Sequence, residues 1–237
     1  MEIGAETMKM ARIAGLDYAK ATDYMTASLR GFNMELSAES AEHINDVFSN
    51  LAAKTASNQQ EMAEALTKTA SIAHSAGMSF ETTSVLLAKM IETTRESPEN
   101  LGTALKTVIG RFAEMKKATS DLVKTEDGEV ISVNRVDTAL KSVGIQLKNS
   151  SGEFRNLDDV FLELSQRWDT LDVMSQRYIA TQAAGSRQQS RFIAMMENYT
   201  RTQELLGYAY DSSGAAAEQF NKTMDSLEAK MNQLNNS

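Results

Sequence analysis

Apolar residues recur along most of this chain at the spacing of an amphipathic α-helix. Ile44, Val47, Phe48 and Leu51 occupy positions i, i+3, i+4 and i+7, which lie on one face of a helix. Two further stripes have the same spacing, one formed by Leu101, Leu105, Val108, Ile109, Phe112 and Met115 and the other by Val160, Phe161, Leu164 and Trp168. The pattern predicts helices that each bury one face against neighbours.

Glycine-containing turns divide this helical pattern. Gly31, Gly77 and Gly144 each follow a helical run and precede an apolar residue. A glycine in the left-handed conformation ends a helix, and the apolar residue after it folds back on the last turn. Ser37 and Ser79 can then cap the next helix by accepting a hydrogen bond from its first backbone amides. The first two turns therefore predict helix–turn–helix joints.

The segment 119–157 lacks the helical period. Residues 124–133 contain a turn followed by alternating β-branched residues, and residues 145–155 have the pattern of two short strands around a glycine-bearing loop. The chain is thus predicted to be mainly α, a multi-helix bundle of amphipathic helices with a small β-hairpin element between two helical halves. The predicted segments are paired helices over 1–118, a connector over 119–157, and a second helical region over 158–237.

The C-terminal region carries a different apolar spacing. Steps of four, three, four and three residues separate Phe220, Met224, Leu227, Met231 and Leu234. This is heptad spacing, which is typical of a helix that packs along one seam against another helix. We expect the last helix to present such a seam.

Composition narrows the class of protein. The formal net charge is −8, which argues against tight nucleic-acid binding because that depends on lysine and arginine neutralising phosphates. The chain has no cysteine, which excludes disulfides and thiolate metal sites. No apolar run approaches the length of a membrane span. Fourteen methionines and few aromatic residues predict an adaptable core.

Residues suited to catalysis or metal binding do not cluster in the sequence. The two histidines, His43 and His74, lack further ligands at helical spacing, and positions at the surface or at helix ends suit both. Asp158 and Asp159 are adjacent, so their side chains diverge on a helix, and they better suit the charge of a helix N-terminus. Phosphate-binding glycine loops and nucleophile elbows are missing from the sequence. These patterns predict no catalytic residue, no metal and no cofactor.

Two arginines leave an open alternative. On a helix, Arg187 and Arg191 would share one face with Gln188 beside them, where they could bind an acidic partner or nucleic acid. Alternatively, the segment after Gly185 is a polar helix start, and its arginines pair with Glu197 or with the acidic pair 158–159. The acidic net charge of the chain favours this second interpretation. The only tryptophan, Trp168, is predicted to be a core anchor.

The order of several short motifs between residues 139 and 199 resembles the core region of phage tail tape measure proteins. The motifs are Val143-Gly144-Ile145, Ser150-Ser151-Gly152-Glu153-Phe154-Arg155, Leu157-Asp158-Asp159-Val160, Trp168-Asp169, and Ala184-Gly185-Ser186-Arg187-Gln188-Gln189-Ser190-Arg191-Phe192. The alanine-rich runs from about Ala14 to Met115 are also similar to the family's repeated helix pairs. The resemblance carries over no active site, only a signature with a possible role in interactions, formed by Gly185, Arg187, Gln188, Gln189, Arg191 and Phe192.

The resemblance implies a structural virion protein located inside the phage tail and present in the host cytoplasm during assembly. It implies a part in tail assembly, in setting tail length and in genome delivery, within a protein longer than this chain. Tail tube subunits, assembly proteins or chaperones, and the chain itself are the implied partners. A compact folded module fits this segment better than an extended ruler. The alternative is a cellular helical scaffold or adaptor without catalytic activity. A wall-degrading domain is disfavoured because sugar-binding aromatic residues are scarce.

Overall fold

A computed structural model describes residues 2–113, 122–124, 130–132 and 135–235. Within these ranges the chain forms twelve helices and two short strands. In chain order they are α1 (Glu2–Ala14), α2 (Tyr18–Gly31), α3 (Ala38–Lys54), α4 (Gln59–Ser75), α5 (Phe80–Thr94), α6 (Pro98–Ala113), β1 (Leu122–Lys124), β2 (Val130–Ser132), α7 (Arg135–Lys141), α8 (Leu157–Trp168), α9 (Val173–Ala184), α10 (Gln189–Met196), α11 (Tyr199–Tyr210) and α12 (Ala215–Asn235). The predicted helical class is confirmed.

Four helix ends share one backbone motif, in which an amide donates to the carbonyl five residues earlier. The donor and acceptor pairs are Leu16 to Ala11, Met34 to Leu29, Met78 to Ala73 and Ile145 to Leu140. Gly77 and Gly144 take the left-handed conformation there, as predicted, and Gly15 does the same at a joint that the sequence analysis missed. In the remaining joint, Asn33 takes that conformation with φ 53°.

The prediction of a left-handed conformation for Gly31 is wrong. Gly31 is the last residue of α2, and a Cβ added there would lie 2.3 Å from the Cβ of Ala70 on α4. Glycine is needed at this position because the two helices approach closely, and the turn itself is made two residues later.

Side-chain caps fix where several helices begin. Ser37 and Ser79 accept hydrogen bonds from the amides of Ser40 and Thr82, so both predicted caps are confirmed. Asn156 precedes α8 at its N-cap position, but its side chain makes no capping bond. A Cβ on Gly77 would come within 2.3 Å of the Asn156 carboxamide, so the Asn156 side chain packs on the joint between α4 and α5 instead.

Helix α5 lies at the centre of the molecule. Eleven of its residues are buried, and it packs against α3, α4 and α6, which lie before the connector or border it, and against α10 and α11, which follow it. Helix α3 contacts both α11 and α12. One hydrophobic cluster therefore extends from Met10 to Ala209 and joins the helices before and after the connector. None of the described helices combines the length and the hydropathy of a membrane-spanning segment.

The β structure differs from the prediction. Strands β1 and β2 pair antiparallel, with Leu122 opposite Ser132. The hairpin predicted over 145–155 is not supported, because this segment contains no strand and only a single bridge between Lys148 and Phe154. The Asn149 carboxamide accepts hydrogen bonds from two amides inside its own loop, so a local turn replaces a strand ladder.

Candidate interaction sites

The signature segment forms a turn followed by a helix. Gly185 ends α9 with φ 78°, residues 186–188 form a turn, and α10 begins at Gln189. Arg187 is exposed in the turn, whereas Arg191 lies on α10. The expectation that the two arginines share a helical face is therefore wrong, because the helix begins two residues after Arg187.

Arg191 attaches α10 to the segment between α5 and α6. Its Nε donates to Glu96 Oε2 over 2.8 Å, a second guanidinium nitrogen binds the same oxygen, and a third donates to Gln188 Oε1. The hydrogen bond from Arg191 lowers the pKa of Glu96. The predicted partners, Glu197 and the acidic pair 158–159, are not those that Arg191 binds. On the same turn, Gln189 Nε2 donates to the carbonyl of Arg177 on α9 over 3.3 Å.

Phe192 and Trp168 form the buried contact between α10 and α8. Their ring centroids are 5.7 Å apart in an edge-to-face arrangement, and both side chains are almost fully buried. The prediction that Trp168 is a core anchor is confirmed. A Cβ on Gly185 would lie 2.7 Å from the Nη2 atom of Arg111, so this glycine lets a guanidinium approach the backbone. In the structure, Gly185 and Phe192 thus serve packing.

A buried lysine secures the end of α10. The Lys89 ammonium, on α5, donates to the carbonyl of Met195 over 3.1 Å, to the carbonyl of Glu197, and to Thr202 Oγ1 over 2.8 Å. Burial lowers the pKa of Lys89 to about 8. Lys89 was not predicted as an interacting residue, although a single lysine within the apolar run 85–91 is a visible signal in the sequence.

Two polar residues of α3 hold the turn between α11 and α12. Asp46 accepts hydrogen bonds from the amides of Gly214 and Ala216 over 2.9 and 2.8 Å, at the N-terminus of α12. Asn50, one turn later, donates to the carbonyls of Tyr208 and Asp211 at the C-terminus of α11. The carboxylate therefore meets the positive end of one helix dipole and the amide donor meets the negative end of the other.

Three residues of the heptad seam on α12 are exposed. The exposed fractions are 42% for Met224, 40% for Leu227 and 62% for Met231. Leu227 also lines a groove of about 510 Å³ together with Met8 and Tyr18 near the N-terminus, which are themselves half exposed. We call these five exposed apolar residues the α12 face.

The titratable residues singled out from the sequence serve structural contacts. His43 lies within α3 and not at a helix end, and its Nε2 is 2.6 Å from Glu81 Oε1, a hydrogen bond that raises the pKa of His43. His74 is exposed in the last turn of α4, as predicted. Asp158 accepts a hydrogen bond from the amide of Ser79 over 2.9 Å, and burial raises its pKa. Across the described ranges, no group of three residues could ligate a metal ion.

Comparisons with known proteins place the chain among phage tail components. A family model described as "Phage-related minor tail protein" matches residues 1–185. The chain is similar to a protein named "Tape measure protein" from Pneumococcus phage Dp-1, with 25% identity over 228 residues. That alignment covers 96% of this chain but 18% of the relative, so the chain spans less than a fifth of that protein's length. No solved structure matches significantly.

Proposed function

The chain belongs to the family of phage-related minor tail proteins, and we propose on this basis that it is a structural segment of a phage tail tape measure protein. Its place would be the interior of the virion tail, and during assembly the host cytoplasm. It would contribute to tail assembly and length determination and to genome delivery. Its partners would be tail tube subunits, tail assembly proteins or chaperones, and other copies of itself, with no catalytic role.

The packing of both helical regions around α5 supports the proposal that this segment is a folded module. A continuous helix of this length would span about 350 Å at 1.5 Å per residue. The longest helix in the described ranges, α12, has 21 residues and spans about 32 Å. Because α3 and α5 contact both the preceding and the following helices, extension would separate the common core. We therefore propose that this segment acts as a compact docking or delivery module and adds little length to the ruler.

Tail length after an in-frame deletion tests this proposal. We would remove the codons for residues 1–237 from the parent gene and measure tails by electron microscopy, with an equally long deletion elsewhere in the gene as the control. Tails of normal length with lost infectivity support a folded module. Tails shortened in proportion to the deletion contradict it, because they would require this segment to be extended in the tail.

Self-association is proposed to use the α12 face. Exposed apolar residues at heptad spacing match the seam of two packed helices. Met231→Glu should convert an associating species to a monomer in light scattering. Met174→Glu is the matched control, because Met174 is 73% exposed on α9. Association that survives Met231→Glu would contradict this assignment.

A further inference from the structure

A groove of about 720 Å³ between α4, α6, α7 and α9 gathers positive charge. Lys106, Arg111 and Arg135 line it, with the hydroxyl-bearing residues Thr103 and Thr107 beside them. No carboxylate-bearing residue lines it within the described part of the chain. The chain has 32 acidic and 24 basic residues, so a groove whose described lining has three cations and no acid departs from the average composition of the chain.

Arg111 is held in place before any ligand arrives. Its Nη1 donates to the carbonyl of Gln182 over 3.1 Å, in the last turn of α9. The backbone of Gly185 also approaches the guanidinium closely, since an added Cβ there would lie 2.7 Å from Arg111 Nη2. No described carboxylate forms an ion pair with Arg111, so its positive charge is positioned but not neutralised. Positioned guanidinium groups bind oxyanions strongly because little side-chain freedom remains to be lost.

The other two cations are also free of ion pairs within the described ranges. Lys106 lies on the same side of α6 as Thr103 and Thr107, and Arg135 begins α7 across the groove. The nearby carboxylate of Asp137 pairs with Lys141 over 2.7 Å. Among the residues that the structure describes, no carboxylate therefore neutralises any of the three positive charges.

We propose that this groove binds an acidic peptide segment of a partner protein. Carboxylates would bind Arg111 and Arg135 as charge-assisted hydrogen bonds, and an aliphatic side chain between them would contact Ile72 and Val136, the apolar members of the lining. This deepens the proposed tail function by naming the chemistry of one partner. This inference depends on the proposed tail function only for the identity of the tail protein that supplies the peptide.

A peptide fits these observations better than a nucleic acid. Proteins that bind duplex DNA typically neutralise about 6–10 phosphates, and this groove offers three cations. The net charge of −8 also repels a polyanion at long range, whereas a short acidic segment needs only the local field of the groove.

Fluorescence anisotropy with a short fluorescein-labelled peptide of glutamate and leucine tests the proposal. The same peptide with glutamine in place of glutamate is the probe control. Saturable binding is expected for the glutamate peptide only. The double variant Lys106→Gln and Arg135→Gln should weaken it about tenfold or more, because the charge-assisted hydrogen bond to Arg135 and the nearby positive charge of Lys106 are both lost.

A second variant separates charge from folding. Gly110 lies on α6 in the groove, and an added Cβ would meet only Ile72 at 3.7 Å, so Gly110→Glu can introduce a carboxylate without a clash. It should weaken binding of the glutamate peptide, by less than the double variant, because it changes the local charge by one unit and not by two. Lys230→Gln, an equal charge change on α12, should leave binding unchanged. Circular dichroism checks the fold of each variant.

Three results would overturn the proposal. The first is equal affinity across all variants, the second is equal binding of the glutamine peptide, and the third is duplex DNA binding through these cations without binding of the acidic peptide. The deletion experiment on tail length is independent of all three, so failure of this proposal and failure of the tail function are distinguishable.

Discussion

Replacing Asp46 with alanine should release α12 from the bundle. The carboxylate lies on α3, is buried, and accepts two amide hydrogen bonds of 2.8 and 2.9 Å at the start of α12. These amides have no partner within a regular helix, so an acceptor from elsewhere must satisfy them. Alanine removes both acceptor atoms and leaves the amide of the buried residue Ala216 without a partner.

The expected loss of stability follows from the two bonds. A hydrogen bond to a charged group contributes about 1.5–3 kcal/mol, and removing a helix N-cap costs about 0.5–2 kcal/mol. The amide of Gly214 lies at an exposed residue and can be rehydrated, so we take the lower value for each bond and expect a loss of about 3 kcal/mol. For a chain of this size that lowers Tm by about 6–12 °C. Asp46→Asn keeps one acceptor oxygen and should lose less.

Urea denaturation and amide hydrogen exchange measure the two parts of this prediction. The free energy of unfolding should fall by the stated amount, and protection should be lost in α12 while α5 stays protected. Asp225→Ala is the matched control, since Asp225 is an exposed carboxylate on α12. The reasoning is refuted if Asp46→Ala costs no more than Asp225→Ala, or if α12 keeps its protection.

Three further experiments with variants test other contacts. Gly77→Ala should lower the free energy of unfolding in urea more than Gly152→Ala does. Both glycines have positive φ, so each change costs about 1–2 kcal/mol, but of the two only Gly77 has a neighbouring side chain within 3 Å of the added Cβ. Equal losses for the two variants would contradict this. The pKa of Lys89 is about 8 in the folded chain against an ordinary 10.5, so the unfolded chain binds more protons between these two pH values. The free energy of unfolding should therefore rise with pH across this range, by up to about 3 kcal/mol. Unfolding curves of Lys89→Met should lack this rise, and a pH profile identical to that of the unchanged chain would refute the assignment. A double-mutant cycle on Arg191 and Glu96 should give about 1 kcal/mol of coupling that weakens with salt, and additive single losses would show that the pair contributes nothing.

Local patterns in the sequence predicted the helices and several of their ends. Apolar periodicity located α3, α6 and α8, because a buried face imposes its spacing on any helix in a core. Ser37 and Ser79 were recognisable as caps because a cap bonds to its own helix within three residues. The resemblance to tape measure proteins, carried by motifs between residues 139 and 199, is confirmed by the family match and the curated relative.

Contacts between distant residues could not be predicted in this way. Lys89 and Thr202 are 113 residues apart, and Asp46 and Ala216 are 170 apart, so no local spacing connects them. The start of α10 was misplaced for a related reason. The polar run after Gly185 is compatible with a turn or with a first helical turn. In the structure α10 begins only at Gln189, and Phe192 on this helix packs against the distant residue Trp168.

The origin of the caps bears on whether the helical regions 1–118 and 158–237 fold separately. Side chains of α3 and α5 satisfy the C-terminus of α10, the C-terminus of α11 and the N-terminus of α12. A separate C-terminal region would lose all of these partners along with its contacts to the common core. We therefore expect the two regions to unfold in one cooperative transition, with Trp168 fluorescence and far-ultraviolet circular dichroism giving coincident curves in urea. Two resolved transitions, with the tryptophan signal changing in only one of them, would show instead that the regions fold as independent domains.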